Sequence, residues 1–234
     1  MIRRLQNRTE AGKQLALKLT AYANRSDVIV LGLPRGGVPV AFEIAKALNA
    51  PLDICLVRKL GVPGHQELAM GAIARDGVRV LNQDVVRSLG ISRDTIERVA
   101  AAEQQELERR DQRYRGTRPL PNLRDRTVIL VDDGIATGAT LRAAIVIVRQ
   151  QEPQRIVVAV PVAPPLTCKE LRFEVDEVVC LLMPEALNSI SLWYDDFSQT
   201  TDAEVRHWLT CAGDLADGYV SQASLGVEHG TVNI

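Results

Sequence analysis

The stretch VILVDDGIATGAT, Val128 to Thr140, ends an apolar run in two adjacent carboxylates and then turns through small and hydroxyl residues. Neighbouring carboxylates repel, so a chain that sets two at a strand end has something cationic or polyhydroxylated to place there. A loop of small residues at the start of a helix directs several backbone N–H groups into one concavity, where the helix dipole favours an anion. Thr137 and Thr140 add hydroxyl donors, Gly138 lets the backbone approach closely, and Asp132 and Asp133 can accept hydrogen bonds from a vicinal diol. The spacing predicts a phosphorylated sugar, with its hydroxyls on Asp132 and Asp133 and its phosphate on Ala136, Thr137, Gly138, Ala139 and Thr140.

Other anion chemistries fit less well. The chain has neither the G-x-x-x-x-G-K-[ST] of a nucleotide P-loop nor a G-x-G-x-x-G after a strand. A receiver-type acid pair needs an acceptor Asp closing a later strand, whereas Asp176 opens one. A phosphatase of the Asp-x-Asp kind is disfavoured by the Asp-Asp-Gly found here.

These residues need strands and helices to hold them. VIVLGL (28–33), the turn PRGG, the helical VPVAFEIAKALNA and the apolar LDICLVRKL read as a βαβ unit. The same grammar returns from Val128: strand, turn, the helix LRAAIVIVRQQ, the strand RIVVAVPVA, a Pro-initiated helix and the strand DEVVCLLM. Continuous apolar strands alternating with helices predict an α/β fold with a parallel central sheet flanked by helices. Residues 9–23 predict a first helix with Thr9 as its cap. Between the two runs, PGHQELAMGAIARDGVRVLN reads as a hairpin. The charged SRDTIERVAAAEQQELERRDQRYRG reads as a long helix with a thin apolar stripe (Ile96, Val99, Ala100, Leu107), lying on the surface or projecting from it. Past Trp208 the sequence turns polar and Gly-rich, which predicts a loosely ordered tail.

With 234 residues and a net charge of -1, the chain suits one α/β domain and shows no global basicity for nucleic acid or membrane surfaces. Cys55, Cys168, Cys180 and Cys211 are scattered without a C-x-x-C pair, and no apolar stretch of about 18 residues or signal-peptide pattern is present. The expectation is a soluble, cytoplasmic protein with reduced cysteines that acts on small molecules.

VILVDDGIATGAT resembles the phosphoribosyl-pyrophosphate (PRPP) motif of type I phosphoribosyltransferases, and its VDD-x-x-ATG-x-T form is most similar to that of the adenine enzymes. LPRGGVP, Leu33 to Pro39, is similar to the family's pyrophosphate loop. LVRKLGVPG, Leu56 to Gly64, resembles the Arg-Lys-x-x-x-x-Pro-Gly at the end of the second core strand. The resemblance spans roughly residues 26–75 and 125–197, and the whole order of segments is most similar to the family's uncharacterised members. It implies a phosphoribosyltransferase domain over 1–210 with a helical insertion at about 82–120, a hood at about 184–200 and a tail over 211–234.

The implied activity is transfer of 5-phosphoribosyl from PRPP to a nitrogen acceptor, a nucleobase of salvage, with release of pyrophosphate. The alternative is a non-catalytic PRPP-binding regulator. Asp132 and Asp133 would hold the ribose, and Arg35, Gly36, Gly37, Arg58 and Lys59 the pyrophosphate. Mg2+ would be the cofactor, carried on the pyrophosphate, with Asp132 and Asp133 as the protein donors at hand. Ala136 stands where hypoxanthine-guanine enzymes have Asp; the adenine enzymes share the Ala and take an acid from a mobile loop, a role open to Glu67 or His65. Arg109, Arg110 and Arg113 in ERRDQRYRG form either a basic lid or a solvated helix end. Leu187, Trp193, Tyr194 and Phe197 fall near the family's base pocket, as stacking groups or as ordinary packing. Pairing into a homodimer is compatible with the fold.

Overall fold

The computed structural model describes residues 4–75 and 77–225, and their side chains except those of 66, 67 and 214–225. The elements in chain order are α1 (Arg8–Lys18), β1 (Val28–Gly32), α2 (Gly37–Leu48), β2 (Leu52–Ile54), β3 (Val57–Val62), β4 (His65–Ala74), β5 (Arg79–Leu81), α3 (Gln83–Ser88), α4 (Arg93–Arg115), β6 (Thr127–Val131), α5 (Ala139–Arg149), β7 (Arg155–Val162), α6 (Pro165–Leu171), β8 (Glu177–Leu182) and α7 (Asp202–Leu225). Short 3-10 turns occupy Thr20–Tyr22 and Ile190–Trp193.

The central sheet is parallel throughout, in the order β2-β1-β6-β7-β8. Its middle strands are apolar along their whole length because both faces are covered: every residue of β1 and β6 is buried. Val28, Val30, Ile129 and Val131 pack in one cluster with α1, α2 and α7, while Ile29, Leu31, Val128 and Leu130 pack in another with α5 and α6.

The structure departs from the sequence reading at a strand, a helix cap and the tail, and decides between two alternatives for the insertion helix. LDICLVRKL is two strands rather than one. β2 pairs with β1 only over Leu52–Ile54, and the chain then leaves to start a separate antiparallel sheet, β3-β4-β5. Adjacent Arg58 and Lys59 cannot continue a strand buried on both faces, and β3 gives them a half-exposed one. The cap of α1 is Asn7, whose side chain accepts from the Glu10 amide at 2.9 Å, not Thr9.

The insertion helix α4 does not project. It packs through buried Ile96, Ala100, Leu107 and Tyr114, and its C-terminal end is fixed by Arg115, itself buried. Arg115 pairs with Asp111 on its own helix and with Asp53 of β2 at 3.0 Å, and donates to the Ile54 carbonyl at 3.1 Å. The expected loose tail from 211 is instead a continuation of α7 to Leu225; residues 226–234 lie outside the described residues. Thr201 and Glu204 cap each other's amides at the start of α7 (3.2 and 2.7 Å), and Val205 and Leu209 bury its first turns. Among the described residues, no helix is long and apolar enough to cross a membrane.

Candidate active site

Strand order changes direction between β1 and β6, so the loops that follow these neighbouring strands diverge and leave a crevice at their carboxyl ends. Pro34-Arg35-Gly36-Gly37 leaves β1 and Asp132-Asp133 leaves β6, side by side at that end of the sheet. The two loops touch. A Cβ on Gly36 would lie 1.9 Å from Asp133 Oδ2, and one on Gly37 would lie 2.5 Å from the Val131 carbonyl oxygen, so only glycine allows the β1 loop to lie against the acids. The Pro34–Arg35 peptide is cis.

Both aspartates are half-buried. Burial, and then the adjoining Asp133 carboxylate, push the Asp132 carboxyl well above the usual carboxylate range. Asp133 is held from two sides: Arg8 Nε and Nη2 reach its Oδ2 at 2.8 and 2.7 Å, and the Tyr194 hydroxyl donates to its backbone carbonyl at 2.7 Å. Asp132 Oδ1 accepts from the Asp133 amide at 2.9 Å, and its remaining lone pairs can accept from sugar hydroxyls or bind a divalent cation.

The next loop opens at the start of α5. Gly138 caps the helix in the left-handed conformation (φ 75°) and brings no side-chain cap to the first amides of α5. Ala136, Thr137 and Thr140 are exposed, Ala139 is half-buried, and Gly138 is buried beneath them. Arg142 supports the loop from behind, donating to the Thr137 carbonyl at 2.9 Å while bonded to Glu174 and Glu170 at 2.8 and 2.7 Å. Thr167 of α6 adds a contact to the Ala136 carbonyl at 3.4 Å. The loop is therefore braced through its carbonyls by Arg142 and Thr167.

The cationic residues lie on a second wall. Beside the crevice runs a cleft of about 820 Å³, lined in part by Pro34, Arg58, Lys59, Arg98, Arg110 and Thr140. Arg58 is paired with Glu103 of α4. Of the three arginines read as a lid, Arg110 lines this cleft while bonded to Glu106 at 2.6 Å. Arg109 also bonds Glu106, at 2.8 Å, and Arg113 bonds Asp202 at 3.0 Å, so the three are divided among different tasks on a packed helix. Arg35 faces Asp202 at 3.8 Å, and Asp202 also accepts from the Tyr114 hydroxyl at 2.6 Å, which joins the β1 loop to α4 and α7.

The base pocket expected from the sequence needs correction. Tyr194 is buried with its hydroxyl engaged on Asp133, and Leu187 is buried in a cluster with Leu5, Ala11 and Val162, so neither offers a face for stacking. Trp193 is half-buried with its indole N–H on the Leu187 carbonyl at 3.1 Å, and Phe197 carries the Arg8 guanidinium on its ring at 3.9 Å. Nearer the acids, a Cβ on Gly134 would lie 2.6 Å from the Ile190 side chain, which makes Ile190 the closer wall. His65 is exposed at the tip of the β3–β4 hairpin; the side chain of Glu67 lies outside those described.

The sequence alone does not single out Arg8, Arg142, Arg98 or Asp202. One signal for Arg8 was legible: a cation at the first position of a helix faces the positive end of the dipole, so its use lies elsewhere.

The phosphoribosyl transferase domain family matches residues 1–195. A curated Mycobacterium tuberculosis protein that carries the provisional name phosphoribosyl transferase is 48% identical over 199 residues, which are 85% of this chain and 45% of that protein. The chain thus spans about half the length of that relative. A solved Thermus thermophilus protein is 42% identical with a TM-score of 0.81, covering 88% of this chain and 97% of that one. A purine phosphoribosyltransferase from Pyrococcus horikoshii is 23% identical with a TM-score of 0.43 over 76% of this chain and 84% of its own, too remote to inform the acceptor. The chain belongs to the phosphoribosyl transferase domain family.

Proposed function

We propose that this protein transfers the 5-phosphoribosyl group of PRPP to a nitrogen acceptor of the nucleobase class and releases pyrophosphate. One observation carries the reading: the acid pair, the small-residue loop after it and the glycine loop after β1 converge at the switch point of the sheet, beside a cleft walled by arginine and lysine. In the transfer, the bond from C1 of ribose to pyrophosphate oxygen breaks as the bond from C1 to the acceptor nitrogen forms, and the proton of that nitrogen passes to the departing pyrophosphate or to solvent. The sugar passes through an oxocarbenium-like state, so the protein's tasks are to orient the ribose, neutralise the departing charge and exclude water. Asp132 and Asp133 orient the diol, the 136–140 loop holds the 5-phosphate, and Gly36, Gly37, Arg35, Arg58 and Lys59 receive the pyrophosphate.

Mg2+ suits this donor set. Among the described residues no group of three or more His, Cys, Asp or Glu side chains can hold a metal alone. Two adjacent carboxylates match the way Mg2+ is commonly held by one or two carboxylates and substrate phosphates. When bound, the ion would supply charge stabilisation to the pyrophosphate oxygens.

Incubation with PRPP, Mg2+ and a panel of nucleobases tests the reading through pyrophosphate release. Release that depends on one base supports it. PRPP binding without release for any base would favour the second reading, a regulator that senses PRPP. No PRPP binding overturns both. A cytoplasmic setting, a salvage role and a homodimer accompany this proposal and are checked by fractionation, growth on nucleobases and solution mass.

A further inference from the structure

Nothing within α1 favours an arginine at its first position, and the partners of Arg8 lie in other parts of the fold. Its Nε and Nη2 both fall on Asp133 Oδ2, at 2.8 and 2.7 Å. Its Nη1 donates to the Ser198 carbonyl at 2.6 Å, and the guanidinium plane lies 3.9 Å from the centre of the Phe197 ring. The two paired side chains are 11% and 15% exposed, so water competes little for the contact. Gly36 is pressed onto the same pair: a Cβ there would lie 1.9 Å from Asp133 Oδ2 and 3.2 Å from Arg8 Nε.

We propose that Arg8 is a positioning residue for phosphoribosyl recognition, acting through Asp133; this rests on the function proposed above. Both contacts fall on Oδ2, which turns Oδ1 toward the sugar and fixes the carboxylate in the orientation a diol requires. The third nitrogen ties the same carboxylate to the segment Phe197-Ser198, so α1, the acid pair and the segment after β8 share one pin. Besides Asp133, the acids that feel the Arg8 charge are Asp132, Asp196 and Glu204. None of the three is bonded to it as Asp133 is, so the cation's direct contacts to a carboxylate fall on Asp133. Lysine would supply the charge but not three donors in a plane.

The test is calorimetric titration of ribose 5-phosphate, and separately of pyrophosphate, into wild type, Arg8→Lys, Arg8→Gln, Asp133→Asn and the Arg8→Gln/Asp133→Asn double variant, with Mg2+ present. Arg8→Gln should weaken ribose 5-phosphate about tenfold and Arg8→Lys about threefold, because directional charged contacts to the carboxylate are lost in turn. Pyrophosphate affinity should stay within about twofold, and Arg8→Gln should add nothing to Asp133→Asn, since it acts through that residue. Unchanged ribose 5-phosphate binding, equal loss of both ligands, or full additivity in the double variant overturns the proposal. Should Arg8→Gln not fold, unchanged ribose 5-phosphate binding by Arg8→Lys would overturn it alone. Wild type that binds no ribose 5-phosphate removes the phosphoribosyl reading itself, and this proposal with it; that outcome is distinct from the others.

Discussion

At the end proposed for ribose and 5-phosphate, the site is made of backbone and short side chains at the ends of two buried parallel strands. At the end proposed for pyrophosphate, long cationic side chains line a cleft between an antiparallel sheet and an inserted helix. The first end is rigid by construction, because β1 and β6 lie in the middle of the sheet and their loops interlock through Gly36, Gly37 and the acids. The second end depends on how α4 is anchored. That anchor is a buried ion network, Arg115 with Asp111 and Asp53, with Arg75 reaching Asp111 at 3.0 Å. Local motif builds one end; tertiary packing builds the other.

The comparison can be broken first at the anchor. Arg115→Ala leaves the buried Asp111 and the half-buried Asp53 short of their partner and should cost about 3 kcal/mol in denaturant unfolding, in line with removal of one member of a buried pair. If stability is unchanged, α4 is not held as described. At the other end, Asp133→Asn should leave the unfolding midpoint near wild type but cut PRPP turnover about 100-fold, close to 2.7 kcal/mol of transition-state stabilisation. Gly36→Ala should act on both loops at once, since its methyl group displaces the Asp133 carboxylate, with a loss of about 30-fold in kcat/KM for PRPP. Arg58→Gln, by contrast, should weaken pyrophosphate product inhibition about tenfold and flatten its salt dependence, while ribose 5-phosphate binding holds.

The smallest effect is a pH effect on α4. Arg109, then Arg110, hold the Glu106 carboxyl down from its ordinary 4.5 to about 2. Its contribution to stability is therefore present above about pH 4.5 and lost as pH falls through 2. Since the pair is at the surface, wild type should exceed Glu106→Gln by less than about 1 kcal/mol at neutral pH, the difference closing over that window. A difference that grows on acidification would contradict the assignment.

Much of the first end was legible in the sequence, because it is local. VILV must be a strand covered on both faces, and DDGIATGAT can turn only into a small-residue loop at a helix start. The second end was less legible for the opposite reason. LDICLVRKL reads as one apolar strand, and only the cost of burying Arg58 and Lys59 between two helical layers divides it. In α4, a thin stripe left a surface-lying and a projecting helix both open, and the burial of Tyr114 and Arg115, whose polar atoms are paired with Asp202 and Asp53 across 88 and 62 residues of chain, decides for the first. Such pairings leave no periodic trace. Tyr194 and Leu187 sat at the expected place in the chain but point into the core, a matter of side-chain direction that spacing does not determine. The tail shows composition misleading: Thr201-x-x-Glu204 is a capping box, and its helix continues through a polar, Gly-containing run.

The central claim is that Asp132 and Asp133 grip the ribose diol while the 136–140 loop holds the 5-phosphate. Calorimetric titration of PRPP with Mg2+ into wild type and into the Asp132→Asn/Asp133→Asn variant tests it most directly. The account predicts saturable binding by wild type and its loss in a variant that unfolds at the same temperature or higher. Equal affinity in the two proteins would contradict it.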